Sequence, residues 1–274
     1  MDSPPTILYK YVTIEDARKI LQNNTFRATP PNELNDPFEL LPGSFSGCSK
    51  EDIRKEVMQR PEVFFDMAKD LQLFKDIGDF IEKINKNEAF IDNVVSVFFD
   101  SDSLMNKFID SVREFSRNIG LICFSKNKSN ILMWSHYANN HTGVIIGVES
   151  MLFSKLWIKV DYQPKRFEIP VSIVERKKNP FAVLGRKLVD WQYEEEYRTV
   201  ANLSDCKYTL DPSKKSGKIY LYPFDKEAIK EVVFGINTPD NEKQILINEL
   251  KSNYSSSVVI KKAELHKTEY KLIL

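Results

Sequence analysis

The spacing of apolar residues changes twice along this chain, and that change constrains the fold more than any other feature. Between Ser49 and Arg117 apolar residues recur at three- and four-residue intervals: Ile53 and Val57; Phe64, Phe65 and Met67; Leu71 and Phe74; Ile77, Phe80, Ile81 and Ile84; Val94, Val97 and Phe98; Leu104, Phe108, Ile109 and Val112. A repeat near 3.6 lays an apolar stripe along each of four or five helices. Before and after this stretch, apolar residues fall in short runs, the pattern of strands. These strands do not alternate regularly with helices. The pattern predicts an α+β fold, one domain over residues 1–274 with a helical insertion at 49–117.

The expected elements follow. Ile7–Val12 reads as a strand, and Glu15–Asn23 as a helix, with Thr13 placed to cap it near Asp16. Thr25–Ala28 is a second short strand, and Thr29–Pro31 and Asn35–Pro37 punctuate the chain as loops. Beyond the insertion, Ile119–Phe124 is apolar enough for a buried strand. Ser129 is expected to cap a short helix through Ala138. Further strands are predicted at Val144–Val148, Ile158–Tyr162, Ile169–Val174, Glu196–Val200, Ile219–Pro223, Ile229–Gly235 and Val258–Lys262. Helices are predicted at Pro180–Leu188 and Asp240–Leu250.

Composition narrows the function classes. With 274 residues and 42% hydrophobic content, the chain can bury one sizeable core. Its 39 Lys and Arg balance 39 Asp and Glu, so the overall basic excess of a protein that coats nucleic acid is absent. The basic runs Lys165–Arg166, Arg176–Lys178 and Lys214–Lys218 read as solvated surface. There are nine glycines and no glycine-rich phosphate loop, which argues against ordinary Rossmann and P-loop enzymes. Cys48, Cys123 and Cys206 suit neither a disulfide framework nor a zinc site, so a reducing, cytoplasmic setting is expected. Met1–Pro5 shows no signal peptide, and no run approaches 18 apolar residues, so no membrane partner is expected.

Three short segments carry the chemistry. Asn35-Asp36-Pro37-Phe38-Glu39 places two carboxylates and an amide around a proline, as turn chemistry or as a loop that holds substrate. The second segment runs from Phe124-Ser125 through Met133-Trp134-Ser135-His136-Tyr137-Ala138 to His141-Thr142-Gly143. It contains two of the three histidines of the chain. Five residues apart, His136 and His141 stand about 140° apart on a helix, which disfavours a shared zinc site. The plainer alternative is an amphipathic helix with Leu132, Met133 and Trp134 in the core. The third segment is Trp191-Gln192-Tyr193-Glu194-Glu195-Glu196-Tyr197-Arg198. In an extended strand Glu194, Glu196 and Arg198 share one face. Two carboxylates side by side repel unless a cation or a substrate hydroxyl lies between them. A charged edge strand with an internal Glu–Arg pair is the alternative.

Together these segments resemble a widespread, mostly bacterial domain-of-unknown-function family. Its pattern has a Tyr-Lys-Tyr start, here Tyr9–Tyr11, and an Asn-Asp-Pro-Phe-Glu loop, here Asn35–Glu39. A Phe-Ser strand end then leads to Met-Trp-x-His-Tyr-Ala-x-x-His-x-Gly, here Phe124–Gly143. A late Trp-x-x-Glu-x-Glu-Tyr-Arg, here Trp191–Arg198, completes it. The order of parts is also similar to the ADP-ribosyltransferase fold, with its split β-sheet core. That resemblance places Tyr9-Lys10 on the first strand, Phe124-Ser125 on the second, Glu196 as the catalytic glutamate and Glu194 as its Glu-x-Glu partner. Lys10 stands where that fold usually has His or Arg, and no Ser-Thr-Ser triplet follows the middle strand.

The resemblance implies an enzyme that takes NAD as substrate. It would transfer ADP-ribose to a protein or nucleic-acid acceptor, or hydrolyse NAD, as a toxin or antiviral-defence effector. Tyr9, Lys10, Arg27, Phe124, Ser125, Trp134 and Arg198 would contact the dinucleotide. Glu194, His136 or Tyr137 would act on the acceptor. Asn35, Asp36, Glu39 and His141 would support the site, with no metal, and the helical insertion would be open to a regulatory partner. Two other readings remain. One is a metal-dependent hydrolase or nuclease using Asp36, Glu39, Glu194 and Glu196. The other is a binding module in which Asn35–Glu39, His136 and Arg198 form a buried polar network.

Overall fold

The computed structural model describes residues 3–46, 49–69, 73–99, 101–170, 181–254 and 257–274. Cys48, Leu71, the end of the strand expected over Ile169–Val174 and the basic run Arg176–Lys178 lie outside the described residues, as do the side chains of Met67, Leu104 and Phe108. The fold is α+β, and the chain divides into two compact units. One comprises Met1–Glu39, Phe115–Pro164 and Leu184–Leu274. The other comprises Leu40–Glu114 and Lys165–Val183. The second unit thus adds a stretch beyond the 49–117 range that periodicity marks out.

The first unit is built on a seven-stranded sheet. Its strand order is Val259–Lys262, Ile229–Phe234, Val144–Glu149, Ile7–Val12, Ile119–Ser125, Glu196–Asn202 and Ile158–Lys159. Only the pair Ile229–Phe234 and Val259–Lys262 is parallel, and the helix Asp240–Asn253 makes the crossover between them. Ile7–Val12 pairs along its whole length with Val144–Glu149, but meets Ile119–Ser125 only at Tyr9↔Ser125. Ile119–Ser125 in turn pairs fully with Glu196–Asn202, with Glu196 opposite Ser125. Tyr9, Ser125 and Glu196 therefore form one row across three adjacent strands. Residues two apart share a face, so Tyr11, Cys123 and Arg198 point the same way.

Strand alternation separates two cores. Leu8, Val12, Ile122, Phe124 and Ile146 pack with Ala17 and Leu21 of the helix Ile14–Asn23 and with Leu246 and Leu250 of Asp240–Asn253. Tyr9, Tyr11, Ile145 and Val233 pack instead with Met133 and Trp134 of the helix Ile131–Tyr137. Both faces are covered, which is why Ile119–Ser125 reads as an almost unbroken apolar run. A smaller antiparallel sheet runs in the order Lys207–Leu210, Lys218–Pro223, Thr25–Ala28.

The second unit holds the helices Lys50–Gln59, Pro61–Ala68, Ile77–Lys86 and Glu88–Phe99 and most of Ser101–Ser116. Ser49 and Asp52 form a capping box at the first of these. Ile53, Val57, Phe64, Phe80, Ile84, Phe90, Ile91, Val94 and Phe98 make its core. A two-stranded parallel pair, Ser44–Ser46 with Glu168–Pro170, joins its two stretches of chain.

The strand expected over Ile158–Tyr162 is divided into Ile158–Lys159 and Asp161–Gln163, which pair in different sheets, and other local expectations fail where a specific partner outweighs propensity. The helix Ile131–Tyr137 is capped by Asn130, whose Oδ1 accepts from the amides of Leu132 and Met133 at 2.9 and 3.2 Å. Ser129 is held instead by the Asn127 side chain. The helix expected over Pro180–Leu188 is a short 3-10 turn, Ala182–Gly185, followed by the strand Arg186–Leu188, which pairs in parallel with Asp161–Gln163. The Trp191–Glu194 stretch is not extended: Val189–Glu194 is a 3-10 turn, and the strand starts at Glu196. No helix among the described residues is long and apolar enough to cross a membrane.

Candidate functional site

Where Ile7–Val12 and Ile119–Ser125 share their single bridge, the first unit contains a cavity of about 150 Å³. Tyr9, Lys10, Asn35, Glu39, Ser125, Tyr137, Lys187, Glu194, Glu196 and Arg198 are among the residues that line it. Segments far apart in sequence thus meet at one place.

Its inner wall is a buried ion cluster. Arg198 is fully buried and uses all five of its N–H donors. Nε and Nη2 donate to the two Glu196 oxygens, both at 2.9 Å. Nη1 and Nη2 donate to Glu39 at 2.9 and 2.6 Å, and Nη1 also reaches the Leu184 carbonyl at 2.8 Å. Lys187 Nζ donates to Glu194 at 2.6 Å and to Glu196 at 3.4 Å, and lies 3.9 Å from Glu39. Its ammonium sits 4.8 Å from the Trp191 ring centre. Tyr137 Oη donates to Glu194 at 2.5 Å and accepts from Asn35 Nδ2 at 2.8 Å.

The local backbone explains how two nearby glutamates share one lysine. Glu195 adopts a left-handed conformation, φ 45°, at the end of the 3-10 turn. This reversal turns Glu194 and Glu196 toward Lys187. Glu195 meets Lys126 at 2.7 Å and Asn127 Nδ2 at 2.8 Å instead. Sequence alternation gives the same grouping of Glu194, Glu196 and Arg198, but a turn produces it rather than a continuous strand. The Asn35–Glu39 loop is shaped by an Asp36 turn, in which Oδ1 accepts from the Phe38 amide at 2.9 Å.

Three carboxylates face two cations, so burial falls unevenly on the acids. Burial opposes ionisation of Glu196, but the charges of Arg198 and Lys187 outweigh it and hold its carboxyl at about 2. Burial dominates at Glu194 and, with the neighbouring Glu196 charge, raises its carboxyl above the usual range despite Lys187. Burial and the Glu194 charge also push the Tyr137 phenol up. Burial would discharge Lys187, yet Glu196 and Glu194 reverse that and keep it an ammonium. Burial drives the Cys123 thiol up, so it stays protonated.

Lys10 differs from these groups. Its Nζ donates to the Cys123 carbonyl at 2.8 Å and lies 5.8 Å from the Phe124 ring centre, with no carboxylate partner among the described residues.

Other predicted site residues lie elsewhere. Trp134 is wholly buried: its ring stacks on His141, meets Tyr11 edge-on, and its Nε1 donates to the Lys128 carbonyl at 3.0 Å. It cannot stack on a ligand in the cavity. His136 is exposed and bonds Tyr193 Oη at 3.0 Å, while His141 pairs with Ser135 at 3.2 Å; neither lines the cavity. Arg27 is paired with Glu33 at 2.7 Å and is also outside it. Asp36 is confined to its turn. Phe124 touches the cavity but belongs to the opposite core.

Lys187 is the residue that sequence reasoning missed. Its segment reads as a helix, although three successive glutamates at 194–196 already called for nearby cations. No family model matches the chain, and no curated protein or solved structure matches it either. Among the described residues no group of three or more His, Cys, Asp or Glu could hold a metal ion. Arg198 and Lys187 already occupy the positions between the carboxylates.

Proposed function

We propose that this chain is an NAD-directed enzyme of the ADP-ribosyltransferase type, acting at the cavity beside Glu194 and Glu196. The observation that carries this reading is a pair of carboxylates on the cavity wall held by different partners: Arg198 gives Glu196 two bonds of 2.9 Å, while Glu194 takes Lys187 at 2.6 Å and the Tyr137 phenol at 2.5 Å. Glu196 stays an anion, while Glu194 takes up a proton more readily than a free glutamate. Paired acids whose environments separate their titrations are the arrangement that divides charge stabilisation from proton transfer. The single bridge between Ile7–Val12 and Ile119–Ser125 supports it too, since a split core would loosen strand pairing at such a point.

The cavity has room for one ring at a time. Small-molecule pockets usually span roughly 300–1,000 Å³, so about 150 Å³ suits the nicotinamide ring alone, with the ribose and the remaining nucleotide reaching out of it. Lys10, which has no carboxylate partner among the described residues, is the group to meet a phosphate oxygen. In the reaction the bond between the ribose anomeric carbon and the nicotinamide nitrogen breaks, and the electron pair leaves with nicotinamide. The Glu196 anion stabilises the positive charge that develops on the ribose. An acceptor hydroxyl or water forms the new carbon–oxygen bond, and its proton passes to Glu194. Tyr137 and Asn35 orient that carboxylate. Arg198 and Glu39 hold the wall and have no free donor for a ligand.

A divalent-metal hydrolase fits less well, because Arg198 and Lys187 already neutralise Glu39 and Glu196. The test is release of free nicotinamide from NAD by the purified protein. Release that disappears in Glu194→Gln, with an unchanged circular dichroism spectrum, supports the reading. No release by the native protein, with or without candidate acceptors, removes it.

A further inference from the structure

The charge count in the cluster assigns a part to Lys187 that the reading above does not use. All five Arg198 donors are engaged, and none goes to Glu194. The Lys187 ammonium, 2.6 Å away, is the cation within ion-pair reach of Glu194 among the described residues. Glu196, by contrast, keeps two bonds to Arg198 whatever happens at Lys187.

The other groups around the pair cannot take over. The helix Ile131–Tyr137 offers the Tyr137 phenol, and the Asn35–Glu39 loop offers the Asn35 amide and the Glu39 carboxylate, itself held by Arg198. Ile119–Ser125 presents Cys123, whose thiol stays protonated. Ile7–Val12 presents Tyr9, also shifted toward the protonated phenol by burial and Glu231, and Lys10, whose ammonium is tied to a backbone carbonyl. Asp161–Gln163 presents Tyr162, whose Oη accepts from the Glu196 amide at 2.8 Å. Tyr193 adjoins on the turn itself, and its Oη faces His136.

We infer that Lys187 is a positioning residue that sets the charge on Glu194, while Glu196, with two bonds from Arg198 against one long contact from Lys187, is controlled mainly by Arg198. Glu194 is thereby the acid whose charge answers to Lys187, while Arg198 holds Glu196 and Glu39. Neutralising Lys187 leaves Glu194 beside the Glu196 anion with only a phenol to bond, so it holds its proton to higher pH. Keeping a cation there preserves its titration. The catalytic meaning rests on the function proposed above, but the charge relation does not.

The test follows carboxyl-carbon resonances of glutamate-labelled protein across pH, with Glu194 and Glu196 assigned from their Gln variants. In Lys187→Met the Glu194 midpoint should rise by at least one pH unit while Glu196 remains ionised; Lys187→Arg should leave Glu194 near its native midpoint. An unchanged Glu194 midpoint in Lys187→Met, or a shift at Glu196 instead, overturns the inference. If Lys187→Met does not fold, the reciprocal measurement replaces it. The Lys187 ε-carbon resonance in Glu194→Gln should then titrate at lower pH than in the native protein, and an unmoved midpoint has the same force against it. Where NAD turnover is present, the acid limb of its pH profile should move up with the Glu194 midpoint in Lys187→Met. Absence of turnover in the native protein counts against the functional reading alone, since the resonance titration is read without substrate.

Discussion

Glu39 and Arg198 face each other through two parallel N–H···O bonds of 2.9 and 2.6 Å, although 159 positions separate them. This bidentate pair fastens the Asn35–Glu39 loop to the strand Glu196–Asn202. Both side chains are buried, so neither has water to fall back on. Removing the guanidinium leaves two buried carboxylates with only the Lys187 ammonium, 3.4 and 3.9 Å away and already shared with Glu194, to offset them. Arg198→Ala should therefore lose about 3–5 kcal/mol of stability, the usual cost of breaking a buried pair from one side. Arg198→Lys should recover only part of this, because one ammonium cannot replace five directed donors. Urea unfolding of the two variants checks both values.

Acid should act on the fold through Glu196. Its folded-state carboxyl titrates at about 2, against an ordinary 4.5, so the ionised form is the one the folded state favours. Its contribution is complete above pH 4.5 and is lost as pH falls from there toward 2. Glu194 has the opposite sign. Its carboxyl is raised, so its contribution is present below the ordinary value and declines as pH rises through the raised one. Thermal melts across pH should show the acid loss flattened in Glu196→Gln, once its lower overall stability is allowed for. In Glu194→Gln the decline on the alkaline side of 4.5 should be missing.

Much of this arrangement is legible in the sequence. The strands Ile7–Val12 and Thr25–Ala28 and the Thr13 cap fall where apolar runs and capping chemistry place them. So does the grouping of Glu194, Glu196 and Arg198, because residue spacing is local information. What is not legible depends on partners distant in the chain. Arg186–Leu188 becomes a strand because Asp161–Gln163 lies beside it, and this brings Lys187 to the cluster. Trp134 reads equally as a stacking platform or as core, and only its position under Tyr11 and His141 decides for core. His136 and His141 stand out by rarity alone, and rarity says nothing about where a side chain points.

Gly235 should tolerate no side chain. A Cβ there would lie 2.0 Å from the His141 carbonyl oxygen, which is fixed backbone. That carbonyl also accepts from the Asn237 amide, and His141 itself sits at φ 66° in a run of left-handed residues with Asn139 and Asn140. The loop cannot retreat without disturbing the end of the helix that carries Tyr137. Gly235→Ala should cost about 1–3 kcal/mol, as overpacking does in a filled interior. Gly217 is the control: its φ of +68° disfavours a side chain, but nothing lies within 4 Å of the added carbon. Gly217→Ala should lose about 1 kcal/mol from backbone strain alone. Melting temperatures of the two variants separate crowding from conformation.

Lys10 and Glu194 should divide binding from chemistry in steady-state kinetics. Among the described residues the Lys10 ammonium donates one hydrogen bond, to the Cys123 carbonyl, so Lys10→Gln retains a donor to that oxygen and should fold normally. It removes the cation proposed to meet the phosphates, and this interaction is the same in ground and transition states. The expected result is a KM for NAD raised about tenfold with kcat little changed, as for loss of uniform binding. Glu194→Gln keeps a carbonyl oxygen for Lys187 but cannot accept a proton. It should lower kcat by roughly 10²–10⁴, the range for losing a general base, with KM nearly constant. A Lys10→Gln variant that lowers kcat alone, or a Glu194→Gln variant that raises KM alone, would reverse the two roles. Nicotinamide release measured over a range of NAD concentrations distinguishes these outcomes.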